Sequence, residues 1–167
     1  MKLNNKGITL VEVIVTFALL MIILVGLFNI ILDVKSDVSD RQMIKDFKDY
    51  DNLMITRIQG DFITKQVTGC SSISDNVFKC DYKDDSKEIA IVNGSNGYPV
   101  IKYNGVEYEV PNSDVLTFDT ANRIEYNNNL ITIHFKYRFV NDEPSEGEEE
   151  SFPYGFEIKH PILKWLL

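Results

Sequence analysis

Much that would announce an enzyme is missing from this 167-residue chain: there is no Gly-rich phosphate loop, no nucleophile motif and no triad-like order of Ser, His and Asp. Catalysis has no support in these residues, and the expectation is a non-enzyme. Positive charge is scarce, with 17 Lys and Arg against 25 Asp and Glu, a net charge of −8 and no basic patch. A phosphate backbone would be repelled by such a surface, so no direct nucleic-acid binding is expected. Only two histidines are present, isolated from each other. His134 sits in the alternating run "LITIHFKYRF" and reads as a satisfied sheet histidine; His160 precedes Pro161 and reads as exposed. The two cysteines, Cys70 and Cys80, lie outside the two-to-four-residue spacing of a zinc pair, so neither metal nor cofactor is expected. Internal repeats are absent. Length allows one ordinary domain plus a terminal segment, and ten Phe with eight Tyr are enough aromatic residues for a folded core.

What is present is concentrated at the start. Residues 13–32 carry no charge and are interrupted only by Thr16, Gly26 and Asn29. At about 1.5 Å per helical residue this run covers about 30 Å, the thickness of a bilayer's hydrocarbon core. It exceeds the apolar region of a secretory signal, and no small-x-small cleavage site follows Leu32. Lys2 and Lys6 precede the run, whereas Asp33, Asp37 and Asp40 dilute Lys35 and Arg41 after it. The expected topology is a single-pass protein of the cell membrane, its N-terminus cytoplasmic and the rest external.

No Pro or Gly occurs between Leu32 and Gly60, and Val34, Val38, Ile44, Phe47, Met54, Ile58 and Phe62 recur mostly at steps of three and four. This spacing predicts one long helix from about residue 8 to 65, amphipathic in its second half; the alternative is two helices broken near residues 33–36. From Gly69 the period changes. "VFKCDY", "EIAIV", "PVIKY", "VEYEV", "VLTFDT" and "LITIHFKYRFV" are strand-like runs bounded by turn residues. Asn104 and Gly105 predict a tight hairpin spanning residues 100–110, and a second turn is expected at residues 127–129. "NDEPSEGEEES" has no large apolar side chain and reads as a solvated loop; it lacks the spacing of a calcium loop. The following "FPYGFEIKHPILKWLL" regains apolar character and is expected to close the sheet, with Trp165 either docked on the core or touching a neighbour.

Glu12 is the anomaly in the apolar run, since a carboxylate at membrane mid-depth costs roughly 2.5 to 3.5 kcal/mol and less near the interface. Its surroundings, "KGITLVE", resemble the cleavage and methylation signal of the type IV prepilin family: a short basic leader ending in Gly, then an apolar residue, Thr, Leu, an apolar residue and Glu. The resemblance implies cleavage by a prepilin peptidase between Gly7 and Ile8, N-methylation of Ile8, and a role for Glu12 as the assembly carboxylate. The family usually has Phe where this chain has Ile8. Removing the leader takes away Lys2 and Lys6 and lowers the net charge from −8 to −10. Presence of the acid argues against the tip-most subunit, which in this family typically lacks it. Residues 54–67, "MITRIQGDFITKQV", look like the end of the long helix in larger minor pilins and J-type pseudopilins, Asp61 being either a helix-end acid in water or a residue with a special role.

Cys70 and Cys80 fall outside the membrane on this topology, where a pair can bond; the other reading is two buried or free thiols. The sequence as a whole is read as α+β and pilin-like: a long transmembrane and amphipathic helix packed on an antiparallel β-sheet. The expected division is leader 1–7, transmembrane half-helix 8–32, and external domain 33–167, helical to about 66 and then sheet. The implied function is that of a minor pilin or pseudopilin in a type IV pilus, a type II secretion pseudopilus or a DNA-uptake filament. Its partners would be the prepilin peptidase, other pilin or pseudopilin subunits and a membrane assembly platform. The alternative is a single-pass protein whose external β-rich binding domain never polymerises.

Overall fold

The computed structural model describes residues 9–141 and 151–162. Helix α1 runs through Leu10–Thr64 without a break at residues 33–36. It ends where Gln66 takes a left-handed φ of 51°, the conformation that commonly closes a helix, and Lys65 N–H still donates to the Asp61 carbonyl at 3.0 Å. Among the described residues nine strands follow: β1 (Val67–Ser74), β2 (Val77–Tyr82), β3 (Ser86–Asn93), β4 (Pro99–Tyr103), β5 (Val106–Tyr108), β6 (Leu116–Phe118), β7 (Arg123–Asn127), β8 (Leu130–Phe139) and β9 (Tyr154–Pro161). The fold is α+β with a long apolar N-terminal helix followed by antiparallel sheets.

The antiparallel sheet expected from the sequence is divided in two. Strands β1 to β5 form a meander in chain order. Pro111, which has no N–H to give a ladder, and Asn112 at φ 50° then turn the chain through a single 3-10 turn, Ser113–Val115, into a second sheet. There β8 is central: β6 and β7 pair with successive parts of one edge, and β9 pairs with the other. The Asn104-Gly105 turn has φ of 51° and 78°, as a two-residue hairpin demands, and Asn128 and Asn129 repeat the device at 51° and 61° between β7 and β8. Strand β1, "VTGCSSIS", has no aromatic residue and keeps its two large β-branched residues, Val67 and Ile73, six positions apart, so it lacks the dense runs by which the other strands declare themselves.

The chain divides into two compact units, Met1–Gln42 and Met43–Leu167. In the first, the described residues are the opening part of α1, and every one of its large apolar side chains is exposed. Val34 and Val38 belong here and are exposed, so the buried stripe expected to include them starts further along. In the second unit, Phe47, Tyr50, Met54, Ile58 and Phe62 line the buried face of α1 at steps of three and four. Ile131, Ile133, Phe135 and Tyr137 alternate along β8, all with no exposed surface, and face the same core. Phe47 meets Tyr137 edge-on with ring centroids 5.6 Å apart, and Phe118, Phe135, Phe156 and Tyr154 continue the aromatic packing. Tyr50 Oη donates to the Tyr108 carbonyl of β5 at 3.1 Å, so this face of the helix is tied to the first sheet as well as packed on the second.

Candidate functional site

The start of α1 explains how an acid is carried there. Thr9 is the residue before the first helical turn, and Glu12 is the third residue within it. Thr9 N–H donates to Glu12 Oε2 at 2.8 Å and Thr9 Oγ1 donates to the same oxygen at 3.0 Å, while Glu12 N–H donates back to Thr9 Oγ1 at 3.3 Å. Two backbone N–H groups with no helical acceptor are thereby satisfied reciprocally, the arrangement of a capping box. One turn on, Thr16 Oγ1 donates to the Glu12 carbonyl at 2.7 Å. The carboxylate thus has local donors within its own chain, and Val13, Phe17 and Leu20 flank it with apolar surface. The Thr-x-x-Glu spacing ahead of an apolar run is the signal by which sequence reasoning could have found this cap. Gly7 and Ile8, the expected cleavage and methylation positions, lie outside the described residues, as do Trp165 and the acidic stretch 142–150.

Two further acids on α1 are held by the sheets. Asp51 accepts from Tyr137 Oη on β8 at 2.9 Å and from Gly155 N–H on β9 at 3.1 Å. Burial pushes its carboxyl above the ordinary value even though both hydrogen bonds and Lys136 pull the other way. Burial also raises the hydroxyl of Tyr137, which stays a neutral donor. Gly155 has φ 98°, and a Cβ there would lie 2.1 Å from the Phe135 carbonyl oxygen; only glycine fits. Asp61 accepts from Tyr103 Oη on β4 at 2.7 Å, is hydrogen-bonded by Lys87 Nζ of β3, and has Lys65 Nζ at 3.4 Å. Burial opposes its charge, but the bonds from Lys87 and Tyr103 outweigh this and hold the carboxyl below its ordinary value. Tyr82 Oη lies 3.3 Å from Tyr103 Oη, its own ionisation pushed up to about 12, chiefly by burial. Of the two readings left open for Asp61, a helix-end acid in water is the one this geometry displaces. Asp51 drew no notice in the sequence, because nothing near it in the chain marks its partners, 86 and 104 residues away.

Cys70 and Cys80 are register partners across β1 and β2, with Cα atoms 4.1 Å apart and their sulfurs joined. Both side chains face the core. His134 Nε2 lies 3.1 Å from Asp119 Oδ2, a partnered sheet histidine. His160, expected to be exposed, is half-buried instead: its ring packs 5.3 Å from that of Phe62, and burial lowers its pKa. The helix contact is what the neighbouring Pro161 could not foretell. Among the described residues no three His, Cys, Asp or Glu side chains are grouped as metal ligands would be.

Residues 2–28 match the family model described as the prokaryotic N-terminal methylation motif. No curated protein and no solved structure is matched by the chain. The matched stretch contains Gly7, Ile8, Thr9 and Glu12 and runs into an apolar part of α1 long enough to cross a membrane. The N-terminal signature expected of type IV prepilins is therefore present on this chain, and together with the apolar run it supports membrane anchoring.

Proposed function

We propose that the chain bearing this prepilin signature is a minor pilin or pseudopilin, a subunit of a type IV pilus, a type II secretion pseudopilus or a DNA-uptake filament, and not an enzyme. The observation that carries the reading is the methylation motif at residues 2–28 opening directly onto α1, with Glu12 inside the apolar run. In this reading residues 1–7 are the cytoplasmic leader, 8–32 span the membrane and later form the filament core, and 33–167 are external. Cleavage after Gly7 frees a cationic amine on Ile8, which is then methylated. In a low-dielectric layer an unpaired charge is expensive and a paired one much less so. Before assembly the Thr9 cap supplies Glu12 with donors; during assembly the amine of a neighbouring subunit offers a charge of opposite sign. Exchange of the first partner for the second makes docking depend on axial position. Besides the peptidase and fellow subunits, a membrane assembly platform is the remaining partner of this scheme.

The test is the intact mass and N-terminal sequence of the protein from membranes of cells with and without a prepilin peptidase. A peptidase-dependent form beginning at Ile8, with one added methyl group, is expected. A chain beginning at Met1 in both backgrounds overturns the proposal and leaves a tethered, non-polymerising β-rich domain. Glu12→Ala is expected to be cleaved normally yet incorporated poorly beside its neighbours, read from the sheared filament fraction.

A further inference from the structure

His160 stands where the end of α1 meets both sheets. Alternation along β9 puts it on the inner face with Phe156 and Ile158, both 2% exposed, while Glu157 and Lys159 lie on the other face and pair with each other at 3.0 Å. Its ring packs 5.3 Å from that of Phe62 near the end of α1, and Phe62 in turn stacks on Tyr82 of β2 at 6.3 Å. Three rings thus connect β9 of the second sheet, the helix end and β2 of the first sheet. Unlike His134, the His160 imidazole has no hydrogen bond or ion pair with another described residue. Its register partner on β8 is Ile131, and Tyr82 is a neutral phenol whose ionisation is pushed up to about 12. On α1, Asp61 is engaged by Lys87 and Tyr103 of the first sheet, with Lys65 beside it. The carbonyls of Gly60 and Asp61 already accept from Thr64 Oγ1 at 2.7 Å and Lys65 N–H at 3.0 Å, so the negative end of the helix offers a cation little here.

We propose that His160 is an acid-operated latch: as a neutral imidazole it completes the ring stack and holds the end of α1 to β9, and as an imidazolium it turns out to water and releases that end. An imidazolium left in the stack would be a half-buried charge with no partner, which is costly. Burial lowers the pKa of His160, and no neighbouring carboxylate raises it. The folded pKa is therefore the lower one. The contribution of the stack is complete above the ordinary value of 6.5 and is lost as pH falls through the folded value. Once the ring leaves, Phe62, only 1% exposed in the latched form, is uncovered on one side. His134 works in the opposite direction, because a proton there strengthens its contact with Asp119. The latch lies wholly within the second unit and does not depend on the filament reading.

The test uses the full-length chain in detergent micelles, with isotope-labelled histidine for an NMR titration and amide exchange compared at about pH 7.5 and about pH 5.5. The His160 resonance is expected to titrate below the ordinary histidine value. Exchange at residues 61–65 and 156–160, corrected for its intrinsic pH dependence, is expected to quicken at the lower pH, and the melting temperature to fall. His160→Phe keeps a ring in the stack but cannot take up a proton, and should remove most of both differences; His134→Gln should not remove them, and it assigns the other resonance. Titration of His160 at or above the ordinary value, the same acid-induced quickening in His160→Phe, or quickening that spares these two segments overturns the proposal. If His160→Phe does not fold, the titration and the exchange of the wild-type chain decide.

Discussion

Three of the carboxylates on helix α1, Glu12, Asp51 and Asp61, sit in two very different settings. Glu12, on the exposed apolar part of α1, takes its donors from Thr9, three residues away. Asp51 and Asp61, on the part that faces the core, take theirs from strands β3, β4, β8 and β9. A locally capped acid can exchange its donors at the cost of one helical turn, whereas a sheet-held acid cannot let go without disturbing the core. Under the proposed function the exchangeable contact belongs to the first, whereas the other two attach the helix to the sheets permanently.

Gly155→Ala should break the anchored half most severely. Its Cβ would collide with the Phe135 backbone at a φ glycine alone tolerates, and a loss on the order of 3 kcal/mol or more is expected in urea unfolding of the detergent-solubilised chain. The same variant should leave membrane insertion unchanged, because residues 13–32 take no part in that contact. Cys70→Ser follows. Opening the Cys70–Cys80 loop should cost roughly 2.5 to 3 kcal/mol on the chain-entropy account, read from the same titration with and without reductant. An unchanged midpoint would show that the bridge contributes nothing to the second unit.

Acidity separates the two sheet-held acids by sign. Asp51 has a folded pKa above its unfolded value, so the native state binds the extra proton: its contribution grows as pH falls and is lost as pH rises through the folded pKa. For Asp61 the folded pKa is the lower one, and the contribution is present above the unfolded value near about 4 and lost as pH falls through the folded pKa. Melts over the acid range should therefore show Asp61→Asn flattening the loss of stability on acidification, and Asp51→Asn removing a stabilisation in the same range. Parallel shifts in both variants would contradict the assignment. The smallest effect belongs to the exposed half: Thr9→Val should loosen the first turn by about 1 kcal/mol, seen as faster amide exchange at residues 10–13 with no change in the second unit.

The same division governs what could be read without a structure. The helix, the Asn104-Gly105 hairpin and the long strand β8 are set by local periodicity and turn chemistry, and each lies where those signals put it. Strand β1 is held by its pairing with β2 and by Cys70, not by its own small polar residues, so no local signal marked it. Val34 and Val38 satisfy the spacing of a buried stripe and are nonetheless exposed, because periodicity shows which face is apolar and not what covers it. Of the site, the methylation motif is contiguous and was legible throughout; the clasps at Asp51 and Asp61 join residues 26 to 104 positions apart and were not.

The bond from Gly155 to Asp51 has a consequence for crowded subunits. Along the outer edge of β9, alternate N–H groups point away from β8, and an open row of them would invite a strand from an adjacent molecule. Gly155 gives its N–H to the helix and Pro161 has none, which among the described residues of this edge leaves those of Glu157 and Lys159, whose charged side chains discourage stacking. In the other sheet, edge strand β5 is three residues long, and β1 is interrupted by irregularities at Val67/Gly69 and Ser72/Ser74. Many copies can thus be concentrated side by side, as the proposed filament would require, with little exposed backbone at these edges through which their sheets could zip into amyloid-like aggregates.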